Sequence, residues 1–150
     1  MVDISKKEVT ERTAVATGNI YMSQETLRKI QEKQTAKGDP FETARLAGIM
    51  AAKKTPELIP MCHPILLSSI HVDFIVQPSK GEKTATIEVR AMVTASGQTG
   101  VEMEAMTAVA VAALTLYDMC KAVDKGISFG EVSLAFKSGG KSGRYTRTPL

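Results

Sequence analysis

Apolar and polar residues alternate along several segments of the chain, and this period of two residues is typical of strands with one buried face. The alternation is clearest over residues 70–76 and 85–93, and it recurs over residues 132–136. A mixed run of apolar residues, threonine and alanine over residues 10–22 predicts an earlier strand. Residues 77–83 include a proline and a glycine and predict a hairpin connection between the two central strands.

Two helices are predicted between the first and second strands. Ser23 is a suitable N-cap for a helix that ends near Gln34. Asp39, followed by a proline and then by a glutamate three residues after the cap, predicts a second helix that reaches Lys54. The alanines and the glycine of this second helix permit close packing against another helix. Three prolines within residues 56–64 predict a rigid loop.

The longest predicted helix begins at a capping box formed by Thr99 and Glu102. It should reach about Asp124 and end at Gly126. The resulting order of elements is β-α-α-β-β-α-β. If one early helix is merged or ignored, this order is the split βαβ or ferredoxin-like pattern, so we expect an α+β fold with helices covering a mainly antiparallel sheet.

Length and composition are those of one globular domain. The chain has 150 residues, of which 43% are apolar and 23% charged, and this excludes a disordered protein. We therefore expect a single domain over residues 1–150, with a mobile glycine-rich loop and tail at residues 138–150. The apolar stretches are interrupted before the roughly 18 residues that a membrane span needs, so we expect no transmembrane helix and no membrane partner.

Two further features concern the cellular compartment and the partners. Residues 1–8 lack the apolar core of a signal peptide, and two cysteines cannot form a disulfide framework, so we expect a cytoplasmic protein. The formal net charge is only +3, and the chain has no tryptophan and 5% aromatic residues, which argues against nucleic-acid binding. Basic residues do cluster at positions 53–54, 121–125 and 137–144, which suits local pockets for an anionic small molecule.

Both histidines lie in recognisable contexts. His63 stands between Pro60 and Pro64 in an apolar segment, and it is either a functional ring or a partly buried ring bonded to the backbone. The adjacent Cys62 does not complete a zinc site, because such a site needs three or four ligands at a recognisable spacing, and we predict no metal site. His71 lies in an alternating strand and is expected to face solvent.

The longest helix carries acidic residues near both of its ends. Glu102 suits the positive end of the helix dipole. Asp118 is surrounded in sequence by apolar residues, so it should be either paired with Lys121, three residues away on the same face, or used in chemistry. Glu104 and Asp118 are fourteen residues apart, or about 21 Å along a helix. Both can serve one small molecule only if another subunit completes the site.

The glycine-rich segment after the last strand has two interpretations. With Lys137 and Lys141 it could bind phosphate through backbone N–H groups and ammonium charge, or it could be a flexible linker. The P-loop spacing requires a first glycine where Phe136 or an earlier residue stands, which excludes ATP hydrolysis of the Walker type.

Seven stretches, taken together and in order, are similar to the MoaC family of molybdenum cofactor biosynthesis proteins, the cyclic pyranopterin monophosphate synthases. The stretches are KGD (37–39), ARLAGI (44–49), AAKKT (51–55), LIPMCHP (58–64), TGVEMEA (99–105), YDMCKA (117–122) and KSGGKSG (137–143). The resemblance implies a ferredoxin-like subunit in a homohexamer, a trimer of dimers with active sites at subunit interfaces. It also implies a lyase that converts (8S)-3′,8-cyclo-7,8-dihydroguanosine 5′-triphosphate to cyclic pyranopterin monophosphate and releases pyrophosphate.

The resemblance also implies roles for individual residues. The catalytic group would be Asp118 with its partner lysine Lys121 and the lysine of the KGD motif, Lys37. The implied substrate-binding residues are Met61, Cys62, His63, Glu102, Met103, Glu104 and Lys141, and we add Lys53 as a further cation for the triphosphate. No cofactor is required by this interpretation, and a divalent metal accompanying the phosphates is left open.

Two other classes of function compete with this interpretation. A ferredoxin-like nucleic-acid-binding module without catalysis would need an aromatic pair on its central strands, and Phe74 alone is a weak candidate. A purely structural oligomer would leave Asp118, in its apolar sequence context, unexplained. We therefore favour the enzyme.

Overall fold

The computed structural model describes residues 1–78 and 83–148, and these form one sheet covered by helices. The residues of the predicted hairpin connection at 79–82 lie outside the described residues. The elements in chain order are β1 (Thr10–Ser23), α1 (Gln24–Gln31), α2 (Pro40–Lys53), α3 (Thr55–Leu58), β2 (Leu67–Val76), β3 (Thr84–Gly97), α4 (Glu102–Cys120), β4 (Ser128–Ser138) and β5 (Tyr145–Thr146).

The sheet has the strand order β2-β3-β1-β4-β5, and every neighbouring pair is antiparallel. Because β1 and β2 both pair antiparallel with β3, they run in the same direction with β3 between them. This is the split βαβ arrangement, and it confirms the predicted α+β, ferredoxin-like fold. The long β1–β3 ladder, with Ile20 opposite Ile87, fixes the register of the whole sheet.

The core lies between the sheet and the helices. Even-numbered positions of β1 and odd-numbered positions of β3 point into it, so Ala16, Ile20 and Val89 are fully buried. The helix α4 adds Val109 and Leu116, which are also fully buried. A strand with one buried face produces this alternation, which explains why the sequence pattern found these strands.

The two long helices pack closely, as their small residues predict. A Cβ atom at Gly48 of α2 would lie 2.9 Å from the carbonyl oxygen of Ala108 and 3.2 Å from the Cβ of Ala112, both in α4. Only glycine therefore permits this approach without displacing the α4 backbone. The contact places the start of α2 near the end of α4.

Helix ends account for most of the differences from the predictions. Ser23 and Asp39 act as N-caps, as expected: the Ser23 hydroxyl accepts from the Thr26 amide and the Asp39 carboxylate from the amides of residues 41 and 42. The capping box at Thr99 is wrong, because α4 begins at Glu102 after Val101 and has no side-chain cap. The predicted ends near Gln34 and Asp124 were too late, since α1 ends at Gln31 and α4 at Cys120.

Two segments predicted as irregular contain short elements. Residues 55–58, in the proline-rich stretch, form one turn of helix, with a proline at its first turn where no intrahelical N–H is needed. Residues 145–146 pair with Phe136 and Lys137 of β4, so part of the predicted tail joins the sheet. Neither two-residue pairing nor a single helical turn leaves a periodic signal long enough to detect in the sequence.

The helix α4 is more apolar than the sequence reading allowed. Its length of 19 residues and mean hydropathy of 1.3 over 18 residues would suit a membrane span by length and composition alone, contrary to our expectation of shorter apolar runs. Half of that window is buried inside this domain, as in the core helix of a globular protein. The apolar composition of α4 therefore reflects its position between the sheet and α2.

Candidate active site

The functional candidates gather at the two ends of α4. The amino-terminal end carries Glu102 and Glu104, and the carboxy-terminal end carries Asp118, with Lys121 directly after the helix. A rise of about 1.5 Å per residue separates Glu104 from Asp118 by about 21 Å. One subunit thus presents two separate groups of side chains.

At the carboxy-terminal end, three charged side chains form an ion triad. The Lys121 ammonium lies 2.7 Å from Asp118 Oδ1, and the Lys37 ammonium lies 3.1 Å from Asp118 Oδ2. Lys37 Nζ also donates to the backbone carbonyl of Asp118, at 3.2 Å. Lys37 stands two residues before the Asp39 cap of α2, and close packing of α2 against α4 brings the loop to this point.

The triad is open to solvent, which corrects one premise of the sequence reading. The apolar neighbours of Asp118 in sequence suggested a costly buried acid, but its side chain is 52% exposed. The helical period turns Leu116 and Cys120 into the core and Asp118 away from it, on the side where Leu114 is also exposed. Hydrogen bonds from Lys121 and then Lys37 lower the pKa of Asp118, and the same contact with Asp118 raises the pKa of Lys121.

A cleft of about 330 Å³ lies at the amino-terminal end of α4. Its walls come from the turn after α3, from the first turn of α4 and from the segment before β1. Six of the predicted substrate-binding residues line it: Met61, Cys62, His63, Glu102, Met103 and Glu104. The turn is held by the Cys62 amide, which donates to the Ile59 carbonyl at 3.0 Å.

Glu104 is the most unusual group in the cleft. Its residue is only 2% exposed, and its Oε2 atom has no hydrogen-bond partner among the residues that the structure describes. Burial raises the pKa of Glu104, and the charge of Glu102 adds to this rise. Burial, and then the nearby Glu104, also raises the pKa of the Cys62 thiol. A ligand that donates a hydrogen bond would satisfy the free oxygen.

A basic groove continues from the cleft. Its first part, about 180 Å³, is lined by Lys7, Arg12 and Lys137, and a second part of about 440 Å³ adds Lys141. The Lys137 ammonium lies 2.9 Å from Glu102 Oε1, which joins β4 to the start of α4. Four cationic side chains along one groove suit a polyanionic ligand.

Two glycines allow the loop after β4 to close this groove. Gly139 and Gly140 have φ values of +101° and +69°, and a Cβ atom at Gly140 would overlap the Arg12 guanidinium. Both positions therefore require glycine for conformation and for space. Residues 138–142 of this segment line the groove, and its predicted mobility stays a prediction.

The sequence reading did not single out Lys7 and Arg12. Arg12 occupies an even-numbered position of β1, the register that faces the core, and it is 9% exposed. A charged residue at an inward position of an alternating strand is the signal that could have identified it. Lys7 precedes β1 in an irregular segment and left no comparable signal.

The predicted site residues thus fall into two groups and one outlier. Lys37, Asp118 and Lys121 lie together, and the residues of the cleft lie with Lys141 at the other end of α4. Lys53 is exposed at the end of α2 and is not among the described residues that line the cleft. His71 is exposed, as predicted. Within the described ranges, no three His, Cys, Asp or Glu side chains are grouped as metal ligands would be.

Comparison with known proteins relates residues 1–140 to the MoaC family. The chain is 54% identical, over 147 residues, to a cyclic pyranopterin monophosphate synthase of Thermoanaerobacter sp. (strain X514); the match covers 98% of this chain and 90% of the relative. It is 55% identical to the protein of that name from Geobacter metallireducens, with 98% and 89% covered. The protein of that name from Desulforamulus reducens is 53% identical, with 98% and 87% covered.

Proposed function

Because the chain belongs to the MoaC family, we propose that it is a cyclic pyranopterin monophosphate synthase of molybdenum cofactor biosynthesis. The observation that carries the proposal is the identity of 53–55% to three such synthases over nearly the whole of each chain. The substrate would be the cyclic dihydro-GTP intermediate, a purine-derived triphosphate, and the products cyclic pyranopterin monophosphate and pyrophosphate.

The names of substrate and product define the step at phosphorus. A triphosphate that becomes a cyclic monophosphate keeps its α-phosphorus, so a sugar hydroxyl oxygen bonds to that atom while the bond to the β-phosphate oxygen breaks. Pyrophosphate leaves with the electron pair, and the hydroxyl proton passes to a base. We therefore assign the enzyme to the lyases that cleave a phosphorus–oxygen bond.

The basic groove supports a role in holding the phosphates. Lys7, Arg12, Lys137 and Lys141 place cationic groups along it. Positioned cations stabilise the negative charge that develops on departing pyrophosphate, and they do so without reorganising during the reaction. In this proposal Lys53 acts as a peripheral cation, since it is exposed at the end of α2.

The ion triad supports a role in proton transfer. Asp118 accepts from two ammonium groups at 2.7 and 3.1 Å, so each lysine has a neighbouring base and the aspartate has two neighbouring acids. Rearranging the rings around the purine requires protons to be both removed and delivered. We propose Asp118, Lys121 and Lys37 as the catalytic group, and the cleft residues as the part that binds the purine.

A separation of about 21 Å along α4 supports an assembly with shared sites. We propose a homohexamer, a trimer of dimers, in which the triad of one subunit faces the cleft of a neighbour. Exposed apolar side chains on the two long helices, Leu46, Met50 and Leu114, are suited to burial by another subunit. We further propose a cytoplasmic location, which suits the free thiols of Cys62 and Cys120.

The first test is pyrophosphate release by the purified chain. We expect release with the cyclic dihydro-GTP intermediate, together with the pterin product, and none with GTP. Release from GTP alone, or from neither compound in a correctly assembled protein, would contradict the proposed function.

A variant pair tests the assigned catalytic group. Asp118→Asn keeps the shape of the side chain but removes its negative charge, and we expect the rate to fall by about 10²–10⁴-fold, the usual size of an acid–base contribution. The matched control is Glu25→Gln, which breaks an exposed ion pair of 2.8 Å with Lys29 on α1. If Asp118→Asn loses its assembly as well as its activity, the triad has a structural role instead.

A further inference from the structure

The residues before β1 cross the cleft at the amino-terminal end of α4. We call residues 1–9 the amino-terminal strap; they contain no helix or strand. Val2 and Ile4 contribute apolar side chains to the cleft, and Lys7 lines both the cleft and the two parts of the basic groove. An irregular segment in this position depends on a few specific contacts to stay in place.

One side chain supplies two of those contacts. The Gln98 amide donates to the backbone carbonyl of Lys7 at 2.9 Å and to that of Ser5 at 3.4 Å. Gln98 directly follows the last residue of β3, so its backbone is anchored to the sheet. Within the strap, the Lys7 amide donates to the Ile4 carbonyl at 2.9 Å, which forms a turn that the glutamine holds from outside.

We propose that Gln98 is a positioning residue: its amide latches the amino-terminal strap over the cleft and thereby directs the Lys7 side chain into the basic groove. The proposal rests on the proposed function, because it assumes that the groove receives the phosphates of the substrate. A lysine on an unanchored segment would lose backbone and side-chain freedom on binding an anion. A latched backbone has already lost part of that freedom, so binding is tighter.

The test variant is Gln98→Met, which keeps an unbranched side chain of similar length but removes the donor. We expect KM for the cyclic dihydro-GTP intermediate to rise about three- to tenfold, the effect of one or two hydrogen bonds, with kcat changed less than about twofold.

The matched control is Gln24→Met. The Gln24 amide also donates to a backbone carbonyl, that of Thr84, at 3.3 Å, but neither residue lines the cleft or the groove. This control should leave KM unchanged. Equal effects of Gln98→Met and Gln24→Met would overturn the latch.

A double variant tests whether Gln98 acts through Lys7. If it does, adding Gln98→Met to Lys7→Ala should raise KM by less than about 1.5-fold beyond Lys7→Ala alone. A full additional effect would overturn the latch and mean that Gln98, which itself lines the first part of the groove, acts on the ligand directly.

Hydrogen exchange of the strap gives a readout that needs neither activity nor a variant. In the wild-type protein we expect the Lys7 amide, which donates to the Ile4 carbonyl inside the strap, to exchange more slowly than in the same segment as a free peptide, and more slowly still with inorganic pyrophosphate. Exchange at the free-peptide rate would exclude the latch even if the enzyme is active. Slow exchange in a protein without pyrophosphate release would instead contradict only the proposed function.

Discussion

Glu104 combines a buried carboxyl oxygen without a partner, among the described residues, with a position in the cleft at the amino-terminal end of α4. Burial raises its folded-state pKa above the ordinary value of 4.5, so the unfolded chain releases this proton first as the pH rises. The folded protein then binds more protons than the unfolded one, and stability falls as the pH rises above about 4.5. The ionised form of Glu104 is therefore a cost at neutral pH.

We predict that Glu104→Gln raises the free energy of unfolding at pH 8 by about 1–2 kcal/mol, because it removes a charge that is expensive to bury. The gain should shrink as the pH falls toward 4.5, where the wild-type carboxyl becomes neutral. Urea denaturation across this pH range measures both effects. Activity should fall at least about tenfold, since a neutral amide does not replace the carboxyl in binding.

A less stable Glu104→Gln protein at pH 8 would mean that the carboxylate is paired in the assembled enzyme. A matched control is Glu57→Gln on α3, whose residue is exposed and whose replacement should leave the unfolding free energy within about 0.5 kcal/mol of the wild type.

For individual residues, the sequence pointed to positions that lie together in the structure, but it misjudged their surroundings. Asp118 was selected as an acid in apolar surroundings, yet its side chain is half-exposed and paired with two lysines. Lys37 is 81 residues away from it, and only the packing of α2 on α4 brings the two together. Motif resemblance identified both positions, whereas local spacing could reach only Lys121.

Among the elements, the loop after β4 shows how backbone conformation shapes the basic groove. Gly140 and Gly143 have similar φ values of +69° and +65°, but only a Cβ atom at Gly140 would overlap Arg12. At Gly143 nothing lies within 4 Å of the added atom. A substitution at Gly143 should therefore cause conformational strain alone, whereas one at Gly140 should also displace the Arg12 side chain.

We predict that Gly140→Ala and Gly143→Ala each destabilise the protein by about 1 kcal/mol, since each places alanine in the left-handed region. Gly140→Ala should in addition raise KM about tenfold, because Arg12 must leave its place in the groove. Thermal unfolding and steady-state kinetics measure the two effects. An equal KM for both variants would show that the position of Arg12 does not affect substrate binding.

The sequence predicted the presence of the four long strands better than the ends of the helices. Period-two alternation predicted β2, β3 and β4, and a mixed run of apolar residues, threonine and alanine predicted β1. The burial of one face is clearest in β1 and β3, where buried and more exposed positions alternate. The start of α4 was misplaced because Thr99 and Glu102 have the spacing of a capping box, while the Glu102 carboxylate instead pairs with Lys137 on β4. Glu102 and Lys137 are 35 residues apart in the sequence, so no local sequence pattern could have revealed this pairing.

For the whole molecule, the proposed shared site can be tested by mixing two variants of low activity, each with a defect in a different half of the site. If a triad and a cleft from different subunits form each site, hexamers reassembled from equal amounts of Asp118→Asn and Glu104→Gln chains contain sites with two intact halves. If the chains assemble at random, about a quarter of all sites combine an intact triad with an intact cleft. We expect about a quarter of wild-type activity after joint unfolding and refolding.

Two controls belong to this experiment. Each variant refolded alone should keep only its own low residual activity, and the two variants mixed without unfolding should regain activity only as fast as subunits exchange. If each site came from one chain, every chain in the mixture would carry a defect, and joint refolding would restore nothing.

The length of helix α4 has a further consequence for the proposed assembly. Its 19 residues set the distance between two groups of side chains, which in the proposed assembly meet their counterparts on other subunits. Inserting or deleting one residue in its middle would shift one end by about 1.5 Å and rotate it by about 100° relative to the other. Both ends could not then remain in register with their neighbours. Length variation within this family should therefore occur outside α4 and be absent from α4 itself.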